Sequence, residues 1–178
     1  MAKAIDNLTT GPAAVHVDDV DLAHTQGGVT VNITAQNRVR NVDQYGSSAL
    51  DVIHLGDEVR VTAPFAEWTA EVLAEIYDPG NDQTAASSTP YIGIGRSAGY
   101  VYSDNDLKII PILTADVSKK IQFWRAVANG EMSIAHNTDD DRIFEIEFIC
   151  MADPDGVNTS NSASDNDGEL IGKIYIGS

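Results

Sequence analysis

The sequence predicts a mainly β domain: an antiparallel β-sandwich or barrel with one flanking α-helix and long loops. Three observations carry that prediction. Apolar and polar residues alternate with a period of two in segment after segment. A single segment follows a helical period instead. Three polar stretches, spanning 36–50, 80–90 and 152–168, have no apolar period at all.

Taken in order, Val29, Val31 and Ile33 alternate with Thr30, Asn32 and Thr34, the pattern of a half-buried strand. Gln36 to Leu50 is polar and contains Gly46-Ser47-Ser48, which reads as a loop. Val59 and Val61 alternate with Arg60 and Thr62. From Glu67 to Tyr77, Trp68, Val72, Leu73 and Ile76 form the stripe of an amphipathic helix. Glu67 and Glu71 suit the positive end of its dipole, and Pro79-Gly80 stops it. Gly80 to Pro90 is small and polar. Asp106 to Leu113 is apolar on both faces, with Pro111 confined to an edge or bulge because it has no N–H to give. Ile121 to Val127 sets Phe123 and Trp124 on opposite faces. Arg142 to Met151 is the strongest strand: Phe144, Ile146, Phe148 and Cys150 share one face, and Glu145 and Glu147 lie on the other with Ile143 and Ile149. After Ala152 to Gly168, rich in Asp, Asn, Ser and Gly, Leu170 to Ile176 recovers a strand. A lone helix among about seven strands implies that it lies against the sheet.

Length and charge bound what such a domain does. The chain has 178 residues, suited to one domain over 1–178, and carries 27 acids against 11 bases, a net charge of −16. Binding nucleic acid by neutralising phosphates needs clustered Lys and Arg, so that class is excluded. Docking on an anionic membrane is excluded on the same ground. No run of about 18 apolar residues is present to span a bilayer, and Met1 to Thr10 has no apolar run, so no secretory signal is expected. A single cysteine, Cys150, forbids an internal disulfide.

Motifs that resemble chemistry lack their context. Gly95-Arg96-Ser97-Ala98-Gly99 fits a nucleophile elbow, but the strand-like Tyr100-Val101-Tyr102 follows where a helix is required. Gly93-x-Gly95-x-x-Ala98 lacks the helix N-terminus that a dinucleotide needs. Asp139-Asp140-Asp141, Asp153-Pro154-Asp155-Gly156 and Asp165-Asn166-Asp167-Gly168-Glu169 are oxygen-rich but lack full calcium-loop spacing. His16, His24, His54 and His136 form no metal-binding pair. Arg38 and Arg40, the one close arginine pair, read as a solvated strand end or ion-pair partners. No catalytic, cofactor or metal residues are therefore assigned. An acidic β chain with long loops and no active site is most simply a structural subunit.

Several stretches resemble the major tail (tail tube) proteins of long-tailed bacteriophages. They are Val42-Asp43-Gln44-Tyr45-Gly46, Leu50-Asp51-Val52-Ile53, Gly56-Asp57-Glu58-Val59-Arg60-Val61-Thr62 and Pro64-Phe65-Ala66-Glu67-Trp68-Thr69. Ile121 to Val127 and Asp141 to Phe148 resemble later strands of that family. The likeness covers about 28–76 and 107–155. It implies a β domain whose subunits form hexameric rings, stacked into a tube that conducts viral DNA. It implies a contact loop over 36–50 reaching a neighbouring ring, with Arg38, Arg40, Asp43, Gln44 and Tyr45 at that contact. It also implies tape measure, terminator and distal tail proteins as partners, assembly in the host cytoplasm, and a final place in the virion tail.

Charge fits that expectation through separate physics. A channel that passes DNA must not hold it, and carboxylates on its wall repel phosphate. Glu145 and Glu147 are the candidate lumen acids; ordinary solvent-facing strand positions would look the same. Acidity also keeps unassembled subunits soluble. Another virion structural protein, such as a capsid decoration or tail terminator protein, stays open as the alternative.

Overall fold

A computed structural model describes residues 11–22, 24–41, 43, 48–66, 73, 97–102, 104–113, 117–134, 143–153 and 171–176, with the backbone alone at 129–134. Eight strands run β1 (Ala13–Val17), β2 (Val20–Asp21), β3 (Thr30–Asn41), β4 (Ala49–Phe65), β5 (Asn105–Pro111), β6 (Ile121–Ile134), β7 (Phe144–Met151) and β8 (Gly172–Ile174). They form one antiparallel sheet in the order β2-β1-β5-β6-β7-β4-β3, and β8 pairs with β6. The chain is thus mainly β, as its alternation predicts, and the sheet is open.

The core lies on one face of this sheet. Val59, Val61, Ala63 and Phe65 of β4 stand directly opposite Cys150, Phe148, Ile146 and Phe144 of β7, and all eight are buried. The Phe65 and Phe144 rings stack with centroids 5.7 Å apart. Val15 and Val17 of β1 face Ile109 and Leu107 of β5, extending the same surface. Between β5 and β6 the register slips: Asn105 pairs with Ala126, but Leu107 pairs with Phe123. The extra β6 residue is a bulge. It places both Phe123 and Ala126 in the core and leaves Trp124, also buried, outside that cluster.

The open sheet is tied across its ends. Thr25 bridges to Phe65, Gln26 N–H donates to Pro64 O, and Ala66 N–H donates to His24 O. The same Thr25 donates its hydroxyl to Ala13 O at the start of β1 (3.2 Å). Residues 22–26 therefore bring β1 next to the end of β4 and wrap the sheet around its apolar face.

β5 also holds the first three residues of β6, so β8 must lie on β6's other edge, in line with β7. Gly172 makes this docking possible, because a Cβ there would fall 2.2 Å from Gln122 O. Pro111 closes β5 two residues past the last β5–β6 pair, the edge position that its missing N–H demands.

Two expectations need correction. The 36–50 stretch is not a loop from end to end: β3 continues to Asn41 and β4 begins at Ala49, while 42 and 44–47 lie outside the described residues. It hides from pattern reading because neither face is buried, and alternation is a signature of burial rather than of strand pairing. β1 and β2 are strands that the pattern reading lacks altogether. They turn through Asp18 and Asp19 with φ of 47° and 69°, a left-handed pair that aspartate tolerates better than most residues. The expected helix over 67–77 lies outside the described residues apart from Leu73, which is buried in the core. The 80–90 loop and residues 154–168 of the 152–168 loop also lie outside them.

Candidate assembly surface

The feature that dominates the surface is a two-stranded arm. β4 pairs with β7 only from Val59 onward, whereas β3 follows β4 back to Ala49. Among the described residues, the ribbon beyond Ile33–Val59 has no third strand. At about 3.4 Å per residue, its eight further residues reach about 27 Å beyond the sheet.

Its pairing settles which side chains share a face. Ile33, Ala35 and Val39 continue the core side, with Val52 directly opposite Val39. Thr34, Gln36, Arg38 and Arg40 take the other side, where Ile53 opposes Arg38 and Asp51 opposes Arg40. The register slips at Gln36/Asn37 and again at Arg40/Asn41. Gly56, at φ 151°, adjoins the first slip, where Leu55 has no partner across the ribbon. His54 ties the same place together, its ring reaching Asn37 Oδ1 and Asp57 Oδ2 at 3.3 Å each. Apolar side chains on the arm remain in solvent: Val39 is 54% exposed, Val52 56% and Leu55 64%. Clustered apolar exposure of this kind marks a contact surface.

Of the residues expected at an intersubunit contact, Arg38 and Arg40 are exposed on β3, and Asp43 is exposed in the connection to β4. Gln44 and Tyr45 lie outside the described residues. Sequence reasoning missed the apolar half of the arm. Val39 and Val52 are visible in the sequence, but their shared face exists only once the hairpin register is known.

The candidate lumen acids sit together on β7, on the side away from the core. Glu145 is exposed. Glu147 is half-buried and accepts a 2.5 Å bond from Arg60 Nη1, while Arg60 Nε donates to Glu58 at 2.7 Å. Those two carboxylates raise the Arg60 pKa further. Two carboxylates thus share one guanidinium, and Glu145, two residues along β7 on the same side, adds a further negative charge.

A second charged group fastens the β1–β2 turn to the sheet. Lys108 Nζ reaches Asp19 at 2.5 Å and Asp106 at 3.1 Å. Gln122, 2% exposed, donates to the Asp106 carboxylate and lies 3.5 Å from Tyr175 Oη. Asp18 accepts the Asp106 N–H. Burial opposes the charge on Lys108, but its two carboxylates outweigh that and hold its pKa above the lysine norm. Burial is also the largest influence on Asp106 and pushes its pKa up, against Lys108 and Gln122. This is structural stitching, with every charge partnered.

Asp104 behaves oppositely. The hydrogen bond from Arg125 Nε holds its carboxyl below the ordinary 3.8. A depressed carboxylate adds stability above its unfolded pKa and loses it as pH falls through the folded value. The pair is partly exposed, so its worth is below about 1 kcal/mol. Asp104→Asn is expected to flatten the fall in Tm below about pH 4, within that small margin. Thermal melts between pH 2 and 5 check it; an acid limb as steep as the parent's would refute the assignment.

Ser97 is exposed in a turn closed by Tyr100 N–H to Ser97 O (3.1 Å), with Gly99 at φ 88°. Glycine supplies the backbone freedom that this turn needs. Among the described residues no group of three His, Cys, Asp or Glu side chains is placed to hold a metal ion. Among them too, no helix is long and apolar enough to cross a membrane. No protein-family model matches this chain, and no curated protein matches it.

Proposed function

We propose that this chain is the structural subunit of a phage tail tube. It self-assembles into stacked rings, six subunits to a ring, around a channel that passes DNA without specific binding. The observation that carries this reading is the arm, a two-stranded ribbon held out from a folded body with Val39, Val52 and Leu55 in solvent. Such a surface has a stable purpose only in contact with another molecule. Among the described residues the outer edge of β3 pairs with no strand, which leaves a row of backbone donors and acceptors that a neighbour can use.

Charge supports the same reading. Six copies would bring six times −16 to each ring, and the face bearing Glu145 and Glu147 is the candidate wall of the channel. The tape measure, terminator and distal tail proteins are the further partners proposed, with the virion tail as its location.

Light scattering behind size exclusion, with negative-stain microscopy of the purified full chain, tests the proposal. Tubes of uniform width with a central channel are the expected result. Isolated rings or trimers would move the chain to another virion role, capsid decoration or tail termination. A strict monomer at high concentration would remove the assembly reading.

A further inference from the structure

We propose that the arm has a seat on its own chain: the outer edge of β8, onto which the β4 half of the arm folds down in the unassembled subunit. The seat rests on strand register alone. Its role, holding the arm in reserve until copies meet, rests on the self-assembly reading above.

β7 and β8 are two lengths of one line. Met151, the last residue of β7, pairs with Arg125. Ile171 O accepts the Trp124 N–H at 3.0 Å, and Gly172 pairs with Phe123. Arg125, Trp124 and Phe123 are consecutive on β6, so Ile171 takes the step that follows Met151. The chain leaves the line and rejoins it at one point. β4 pairs with this line only as far as Val59, opposite Cys150, one residue short of that point. The arm therefore begins where its neighbour is interrupted, and past the interruption β8 holds the place of a third strand.

β8 presents an edge there. Ile171 O and the Tyr175 N–H, which donates to Lys120 O at 2.8 Å, both face β6. Backbone groups alternate along a strand, so those of Gly172 and Ile174 face away from β6. Among the described residues β8 pairs with β6 alone. An outward row of donors and acceptors is a template for one more strand.

Register selects the occupant. With Met151 and Ile171 taken as neighbours, antiparallel pairing carried past Val59–Cys150 sets His54 opposite Ile174, Ile53 opposite Tyr175 and Val52 opposite Ile176. Ile174 is 60% exposed and Ile176 88%. Ile174 pairs with Ile121, which packs against the core, so Ile174 and Ile176 lie on the side where the arm carries Val52. None of these rows opposes like charges, and such cross-strand pairs are what stabilise a sheet. A slip of one residue would turn Val52 and Ile176 to opposite sides. A strand already joined at Val59 also has the high effective concentration of a short tether, which favours it over a second copy.

Cysteine pairs in the full chain test the seat. Cys150 is buried and its thiol is pushed up to about 12, so it stays silent. Val52→Cys with Ile176→Cys is expected to link within one chain under mild oxidant at low protein concentration. Val39→Cys with Ile176→Cys is expected not to link. β3 lies one strand farther out, about 10 Å from the β8 line, past the roughly 7 Å that a disulfide spans between Cα atoms. The linked chain is expected to form no tubes until it is reduced. In the otherwise unmodified chain the Ile174 amide is expected to be protected from hydrogen exchange, and Val52→Glu to abolish that protection. Linking by neither pair, or by both alike, would overturn the seat, as would an unprotected Ile174 amide. Linked chains that form tubes would overturn the reserve role. An unmodified chain that never assembles, yet shows the link and the protected amide, would remove the tube reading and leave the seat standing.

Discussion

Replacing the opposed pair on the arm, Val39→Lys with Val52→Glu, is expected to leave the chain folded and monomeric, with no tubes. The two side chains face each other across the ribbon, so opposite charges preserve cross-strand attraction, worth about 0.2–1 kcal/mol. Both positions are more than half exposed, and surface changes of this kind shift folding stability by about 0.5 kcal/mol at most. Assembly responds differently. Burying a valine at a contact yields about 1.5–3 kcal/mol, and the exchange forfeits that twice in each contact. It also asks two charges to leave water, a cost that rises steeply without partners. With one such contact per subunit, the loss multiplies along the polymer. Light scattering gives the mass and a thermal melt gives the stability. Tubes formed as readily as by the parent would remove the arm from the assembly mechanism.

Phe144→Ala should act in the opposite way, striking the fold first. Phe144 is 1% exposed, pairs directly with Phe65 and stacks on its ring. Removing a buried phenylalanine costs about 3–5 kcal/mol, because the lost transfer energy is joined by a cavity that the sheet cannot close. Native domains hold only about 5–15 kcal/mol in total. At about 2–4 °C per kcal/mol for a chain of this size, Tm should fall on the order of 10 °C. The site is sensitive because Phe65 also anchors Thr25, the residue that joins the end of β4 to the start of β1. A change of less than about 3 °C would mean that the stacked pair is not part of the cooperative core.

These two variants divide the molecule as its sequence does. β7 was legible because a buried face imposes alternation: Phe144, Ile146, Phe148 and Cys150 inward, with Glu145 and Glu147 outward. The Val59–Phe65 half of β4 was legible only at Val59 to Thr62. Its other half, like the outer half of β3, is held by backbone pairing to its own hairpin partner, and no face tells the two sides apart. That is why 36–41 and 49–50 read as loop and are strand. β2 escaped notice because a two-residue strand cannot show a period, and β1, where Val15 and Val17 do alternate with Ala14 and His16, because its run is only five residues long. The arginines at 38 and 40 were visible as a pair, but not the cleft lined by residues 12–14, 21, 24–25, 110–112 and 117, which only the wrapped sheet brings together.

The two register slips in the arm bear on how safely such a chain is made. A straight ribbon of this length, with exposed apolar side chains and a bare rim, would template stacking of any copy on any other, the route to amyloid. Each slip breaks the ladder, bends the strand and adds twist. The rim of β3 is thereby cut into short, differently aimed pieces that a second identical rim cannot follow in register. Identical copies are thereby hindered from stacking edge to edge into a flat sheet, while Val39, Val52 and Leu55 stay exposed on the arm.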